Sequence, residues 1–101
     1  MSEGREFNKH STSDLATLTN EQFLKLVGSR VRAQRMKVSM SRKLLAQESG
    51  VSERYLAQLE SGQGNISIGL LRKVATAIGI SLSSLMSEED VHPSSAREAV
   101  T

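Results

Sequence analysis

The stretch from Arg42 to Ser61, RKLLAQESGVSERYLAQLES, constrains the fold more than any other part of the chain. It reads as two short helices joined by a tight turn that requires glycine at Gly50. Ala46 is small where the helices must cross closely, Gly50 follows four residues later, and Leu56 comes six after that, facing the core. Ser52 is placed to cap the second helix by accepting a backbone N–H. That register sets Leu56 and Leu59 on one face and Glu53, Arg54, Ala57 and Gln58 on the opposite one. The outward face is therefore polar and rich in hydrogen-bonding groups.

Composition places this pair within an all-α domain. Hydrophobic residues make up 38% of the 101, with two Phe, one Tyr and no Trp, so the core must come from aliphatic side chains and Met. Such a composition suits packed helices better than a sheet. A chain of this length forms one small domain with tails. No cysteine is present, which excludes disulfides, thiolate chemistry and sulfur-ligated metal. His10 and His92 lie in opposite tails, and no phosphate-binding loop or framed pair of carboxylates occurs, so neither catalysis, a metal nor a cofactor is expected. No basic-then-apolar leader and no apolar run near the ~20 residues that span a bilayer are present. The expectation is a soluble, cytoplasmic protein with no membrane association.

The net charge of +2 is unevenly distributed. Residues 1 to 19 carry −1, residues 87 to 101 carry −3, and the middle holds +6. From Gln22 to Gln47 seven bases (Lys25, Arg30, Arg32, Arg35, Lys37, Arg42 and Lys43) occur without one acid. Such a stripe is either a solvated helix face or a surface for a polyanion, and beside the Arg42 to Ser61 pair it favours nucleic acid.

In chain order, residues 1 to 18 are polar and aperiodic and form an expected flexible tail. A capping box of Thr19 and Gln22 opens a first helix with Phe23, Leu24, Val27 and Val31 at helical spacing, ending near Met36. Gly28 within it marks a close approach or a weakened start. Val38 and Met40 are apolar anchors in a connector, and Ser41 caps the second helix, which holds Leu44, Leu45 and Ala46. The third helix spans about Ser52 to Glu60 and stops at the Gly62 to Asn65 loop. Ser67 caps a fourth helix ending at Gly79, with Leu70, Leu71, Val74, Ala75 and Ile78 as its stripe. Ser81 caps a short fifth helix, whose Leu82, Leu85 and Met86 close the core or form a contact patch. The acidic segment 87 to 101 reads as a linker or tail, leaving 19 to 86 as the folded domain.

From Leu26 to Met86 the chain resembles the Cro/repressor (XRE-type) helix-turn-helix family. The resemblance rests on Arg35, Leu45-Ala46, Gly50-Val51-Ser52, Leu56, Leu59-Glu60, Gly62, Leu71, Val74-Ala75, Ile78-Gly79, Leu82 and Leu85. It implies a compact five-helix domain that reads double-stranded DNA. The run GVSERYLAQLE, with Gly62 and Gly64 to Ile68 after it, is similar to regulators of benzoate catabolism. In those regulators a shikimate-kinase-like domain senses an aromatic coenzyme A thioester; no such domain is expected within these 101 residues.

Transferred by position, the resemblance makes Ser52, Glu53, Arg54 and Gln58 the base-contacting residues. The side-chain chemistry agrees: Arg54 suits guanine O6 and N7, Gln58 suits adenine N6 and N7, and Glu53 accepts from cytosine N4. Glu53 equally suits a helix start, where the macrodipole favours an acid. Arg42 matches a phosphate-contacting position, with Ser41, Lys43, Ser61, Gln63 and Asn65 as further phosphate candidates. The loop after the third helix lacks Lys and Arg, so any phosphate grip there would rely on backbone amides. Tyr55 either touches the DNA backbone or packs on the second helix. Arg35 and Glu60 match a pair that ties the first helix to the end of the third. The function implied is a sequence-specific transcription regulator, a repressor or an activator, working as a homodimer on repeated half-sites. The alternative is the same fold used as a protein-interaction module.

Overall fold

The computed structural model describes residues 18–88. Within them the chain forms five α-helices in the order α1 (Asn20–Lys37), α2 (Arg42–Ser49), α3 (Glu53–Glu60), α4 (Ile68–Ile78) and α5 (Leu82–Met86). No strand occurs among the described residues. The expected tails lie outside them apart from Leu18, Ser87 and Glu88, as do His10 and His92.

Each helix begins where a hydroxyl satisfies an otherwise orphaned amide. Thr19 and Gln22 form a reciprocal capping box on α1. Ser41, Ser52, Ser67 and Ser81 accept from the third amide of α2, α3, α4 and α5, respectively. Ser52 is thus the cap of α3 rather than its first helical residue. Two helices end on left-handed glycines, Gly50 (φ 78°) after α2 and Gly79 (φ 74°) after α4. The end of α1 is different: Val38 follows it and Ser39 adopts φ 58°. There the amides of Ser39 and Met40 donate back to the carbonyls of Met36 and Arg35. A left-handed serine of this kind costs about 1 to 2 kcal/mol, which the two amide bonds offset.

Val27, Val31, Leu45, Leu56, Leu71, Val74, Ala75, Ile78 and Leu85 form the centre of the core, with Val51 and Leu59 at its edge. Each fully buried aliphatic side chain stabilises the fold by about 1.5 to 3 kcal/mol. Leu85 is buried completely and Leu82 and Met86 pack against the cluster, so α5 closes the core. Of the two connector anchors, Met40 packs on the core whereas Val38 is exposed, and Leu44 faces outward beside the buried Leu45.

A candidate nucleic-acid interface on α2, α3 and the loop after α3

The Ser52 cap fixes the rotation of α3. Its Oγ accepts the Tyr55 amide at 3.0 Å, which sends Leu56 and Leu59 inward and leaves Glu53, Arg54 and Gln58 exposed. None of those three side chains makes a hydrogen bond or ion pair among the described residues. Ala57, on the expected outward face, is half-buried.

The other end of α3 is fastened to α1. Arg35 Nε lies 2.6 Å from Glu60 Oε2 and its Nη2 donates to Oε1 at 2.9 Å, while Nη1 donates to the Met40 carbonyl at 2.8 Å. Side-chain exposure is only 10% for Arg35 and 4% for Glu60, so the pair is buried and bidentate. The hydrogen bond to Glu60 raises the Arg35 pKa above its ordinary value, against the opposing effect of burial, and the carboxylate's charge adds to the rise. Gly28 permits a backbone contact at the same place. A Cβ built there would stand 2.2 Å from the Leu59 carbonyl oxygen and 2.9 Å from that of Glu60. The close-approach reading of Gly28 therefore has a definite cause.

At the start of α2, Ser41 Oγ accepts the Leu44 amide at 2.9 Å and its carbonyl accepts that of Leu45. The Arg42 and Lys43 amides precede the first bonded turn and have no helical partner. Lys43 is exposed, whereas Arg42 Nε sits 3.5 Å from Glu60 Oε1. Sequence gives no sign of that second approach to Glu60, because only the packing of α2 against α3 creates it.

The loop after α3 departs from expectation. The amides of Ser61, Gly62 and Gln63 donate to the carbonyls of Ala57, Leu59 and Gln58, and Ser61 Oγ donates to Gln58 as well. These amides complete the end of α3 and are not available to phosphate. What this loop leaves unengaged among the described residues are the Gly64 and Asn65 amides and the exposed side chains of Gln63 and Asn65.

The basic stripe also divides. Arg30 Nη1 donates to the carbonyls of Ser84, Leu85 and Ser87 at 3.3, 3.1 and 2.5 Å, holding the end of α5. Arg35 and Arg42 face Glu60, and Lys25 lies 4.0 Å from Glu21 on the surface. Arg32, Lys37 and Lys43 make no ion pair among the described residues. The stripe is thus partly internal wiring rather than one anion-facing surface. Gln34 has a similar role, donating to the Ile78 carbonyl at the end of α4 at 2.9 Å.

Tyr55 turns away from solvent. It borders a cavity of about 10 Å³ with Leu24, Gln58 and Asn65, and its hydroxyl is buried without a hydrogen-bond partner among the described residues. Burial raises its pKa; the nearby Ser67 backbone acts in the opposite sense more weakly, without meeting hydrogen-bond geometry. A buried hydroxyl is out of reach of a DNA backbone.

No helix among the described residues is long and apolar enough to cross a membrane, and no group of metal-ligating side chains is gathered among them.

Two short helices meeting at a left-handed glycine, the second polar on its outer face and fastened to a supporting helix, define a helix-turn-helix domain. Residues 31–85 match the Helix-turn-helix family HTH_3, and the chain belongs to that family. Among curated proteins it is similar to the immunity repressor protein of Bacillus phage phi105, at 36% identity over 63 residues. That match covers 62% of this chain and 44% of the phage repressor, so the chain spans less than half of that relative's length. Among solved structures it is similar to the restriction-modification controller protein C.AhdI from Aeromonas hydrophila, with 35% identity and a TM-score of 0.59 over 61% of this chain and 94% of that one. It is similar also to the clp gene regulator ClgR from C. glutamicum, with 32% identity and a TM-score of 0.61 over 65% of this chain and 85% of that one.

Proposed function

We propose that this protein is a sequence-specific DNA-binding transcription regulator that lays α3 in the major groove, with 19 to 86 as its DNA-binding domain. The observation that carries the reading is the state of α3: its inner face and C-terminal end are fixed, while Glu53, Arg54 and Gln58 stand exposed without partners among the described residues. Fixed placement with unengaged donors and acceptors is what base-edge recognition requires. Likeness to a phage repressor and to two regulators supports it.

Arg54 and Gln58 read base edges, and Ser52 and Glu53 lie at the end of α3 that enters first. Ser41, Arg42 and Lys43 at the start of α2 meet phosphate, joined by the Gln63 side chain and by Asn65, whereas Ser61 joins them only by releasing its amide or hydroxyl bond to α3. Pairing of two copies on half-sites one helical turn apart gives an eight-residue reading helix adequate specificity. Any effector, an aromatic coenzyme A thioester included, acts through a further domain. Neither catalysis nor a cofactor belongs to this reading.

Titration with fragments of the source genome at two salt concentrations tests it. Affinity should fall steeply with salt while a subset of fragments remains preferred. Salt-independent or absent binding would instead favour the protein-interaction use of the fold.

A further inference from the structure

Glu60 is the only carboxylate approached by two guanidinium groups among the described residues. Arg35 already engages both of its oxygens. Arg42 approaches Oε1 at 3.5 Å through Nε, forms no hydrogen bond there, and remains 43% exposed. A carboxylate oxygen has two acceptor positions, so Oε1 can attract a second donor after Arg35 has taken one. The approach through Nε leaves both terminal nitrogens of Arg42 unused among the described residues.

We propose that Glu60 positions Arg42 as well as Arg35, so that the phosphate grip at the start of α2 and the placement of α3 are coupled through one buried carboxylate. The proposal rests on the DNA reading given above, in which Arg42 meets phosphate. Ordering a long side chain opposes binding, and a guanidinium already held at one edge loses less freedom when its other edge meets an anion. Arginine can serve both partners at once because its donors point in several fixed directions. The single ammonium of lysine lies at the tip of the chain and has no inner donor to leave with Glu60. Charge alone therefore does not substitute for Arg42.

Binding to a mixed-sequence DNA duplex, measured across salt concentrations, separates charge from positioning. Arg42→Gln should weaken binding roughly tenfold and lower the salt slope by about one phosphate equivalent. Arg42→Lys should weaken it nearly as much while keeping the wild-type slope, because the charge remains and the hold is lost. An Arg42→Lys protein within about twofold of wild type would overturn the proposal. Nitrogen-15 relaxation of arginine Nε in the DNA-free wild type needs no variant: Arg42 should be ordered like Arg35 and unlike Arg54 and Arg72. An Arg42 Nε as mobile as those two also overturns it. A wild type that fails to bind the duplex rejects the DNA reading and with it the phosphate half of the coupling, whereas an ordered Arg42 would still establish the hold by Glu60.

Discussion

At its C-terminal end α3 is held by a buried bidentate ion pair to Arg35, by backbone contact with Gly28, and by a loop whose amides fold back onto its carbonyls. At its N-terminal end a single serine cap suffices, and the side chains beyond it, Glu53 and Arg54, have no partners among the described residues. The contrast shows how a small domain presents a recognition surface. Groups that must meet an outside partner are left unengaged, and the helix carrying them is immobilised elsewhere. Burying Arg35 and Glu60 is costly for each charge alone and tolerable only because they face each other.

Removing one member of that pair should have the largest effect on the comparison. Glu60→Ala strands Arg35 and leaves Arg42 without its neighbour, and should lower unfolding stability by about 3 to 5 kcal/mol in thermal or chemical denaturation. A loss below about 1 kcal/mol would mean that solvent screens the pair and that the two ends are not built so differently.

Gly28→Ala tests the backbone contact. Alanine favours a helix by about 1 kcal/mol over glycine, yet its Cβ would meet the Leu59 carbonyl oxygen at 2.2 Å. The collision should dominate, with a net loss of about 1 to 3 kcal/mol in denaturant unfolding. A more stable variant would show that α3 can shift freely.

At the exposed end the balance should reverse. Arg54→Ala should leave stability within about 0.5 kcal/mol of wild type. The same change should cost about 1 to 3 kcal/mol of discrimination between preferred and unrelated DNA, read by competition binding. Equal losses on both kinds of DNA would move Arg54 from base reading to phosphate contact.

The smallest effect concerns Tyr55, at the border between the two ends. Burial raises its pKa above the ordinary value of 10.0, so the folded state favours the neutral phenol. Its contribution to stability is complete below pH about 10 and is lost as pH rises through the folded pKa. Because the chain has one tyrosine, ultraviolet absorbance follows that single group. Ionisation at the ordinary pKa would mean that solvent reaches the hydroxyl.

The features legible in the sequence share one property: their cause lies within a few residues. Thr19 with Gln22, and the serines at 41, 52, 67 and 81, act on amides three positions away. Gly50 and Gly79 answer a local need for positive φ, and the stripe from Leu71 to Ile78 follows from helical period. The Arg35 to Glu60 pairing was legible as a family resemblance, since no local rule connects residues 25 positions apart.

The sequence by itself therefore determined five helices, their caps and the polar face of α3, because propensity, capping and periodicity act over one or two turns. Only the tertiary structure decided which charges stay available. It carried Arg30 to carbonyls more than 50 positions away, brought Arg42 beside Glu60, set Gly28 against α3 and turned the amides of Ser61, Gly62 and Gln63 inward. A charge in the sequence has a sign but no neighbours, and its neighbours determine whether it holds the fold together or faces a ligand.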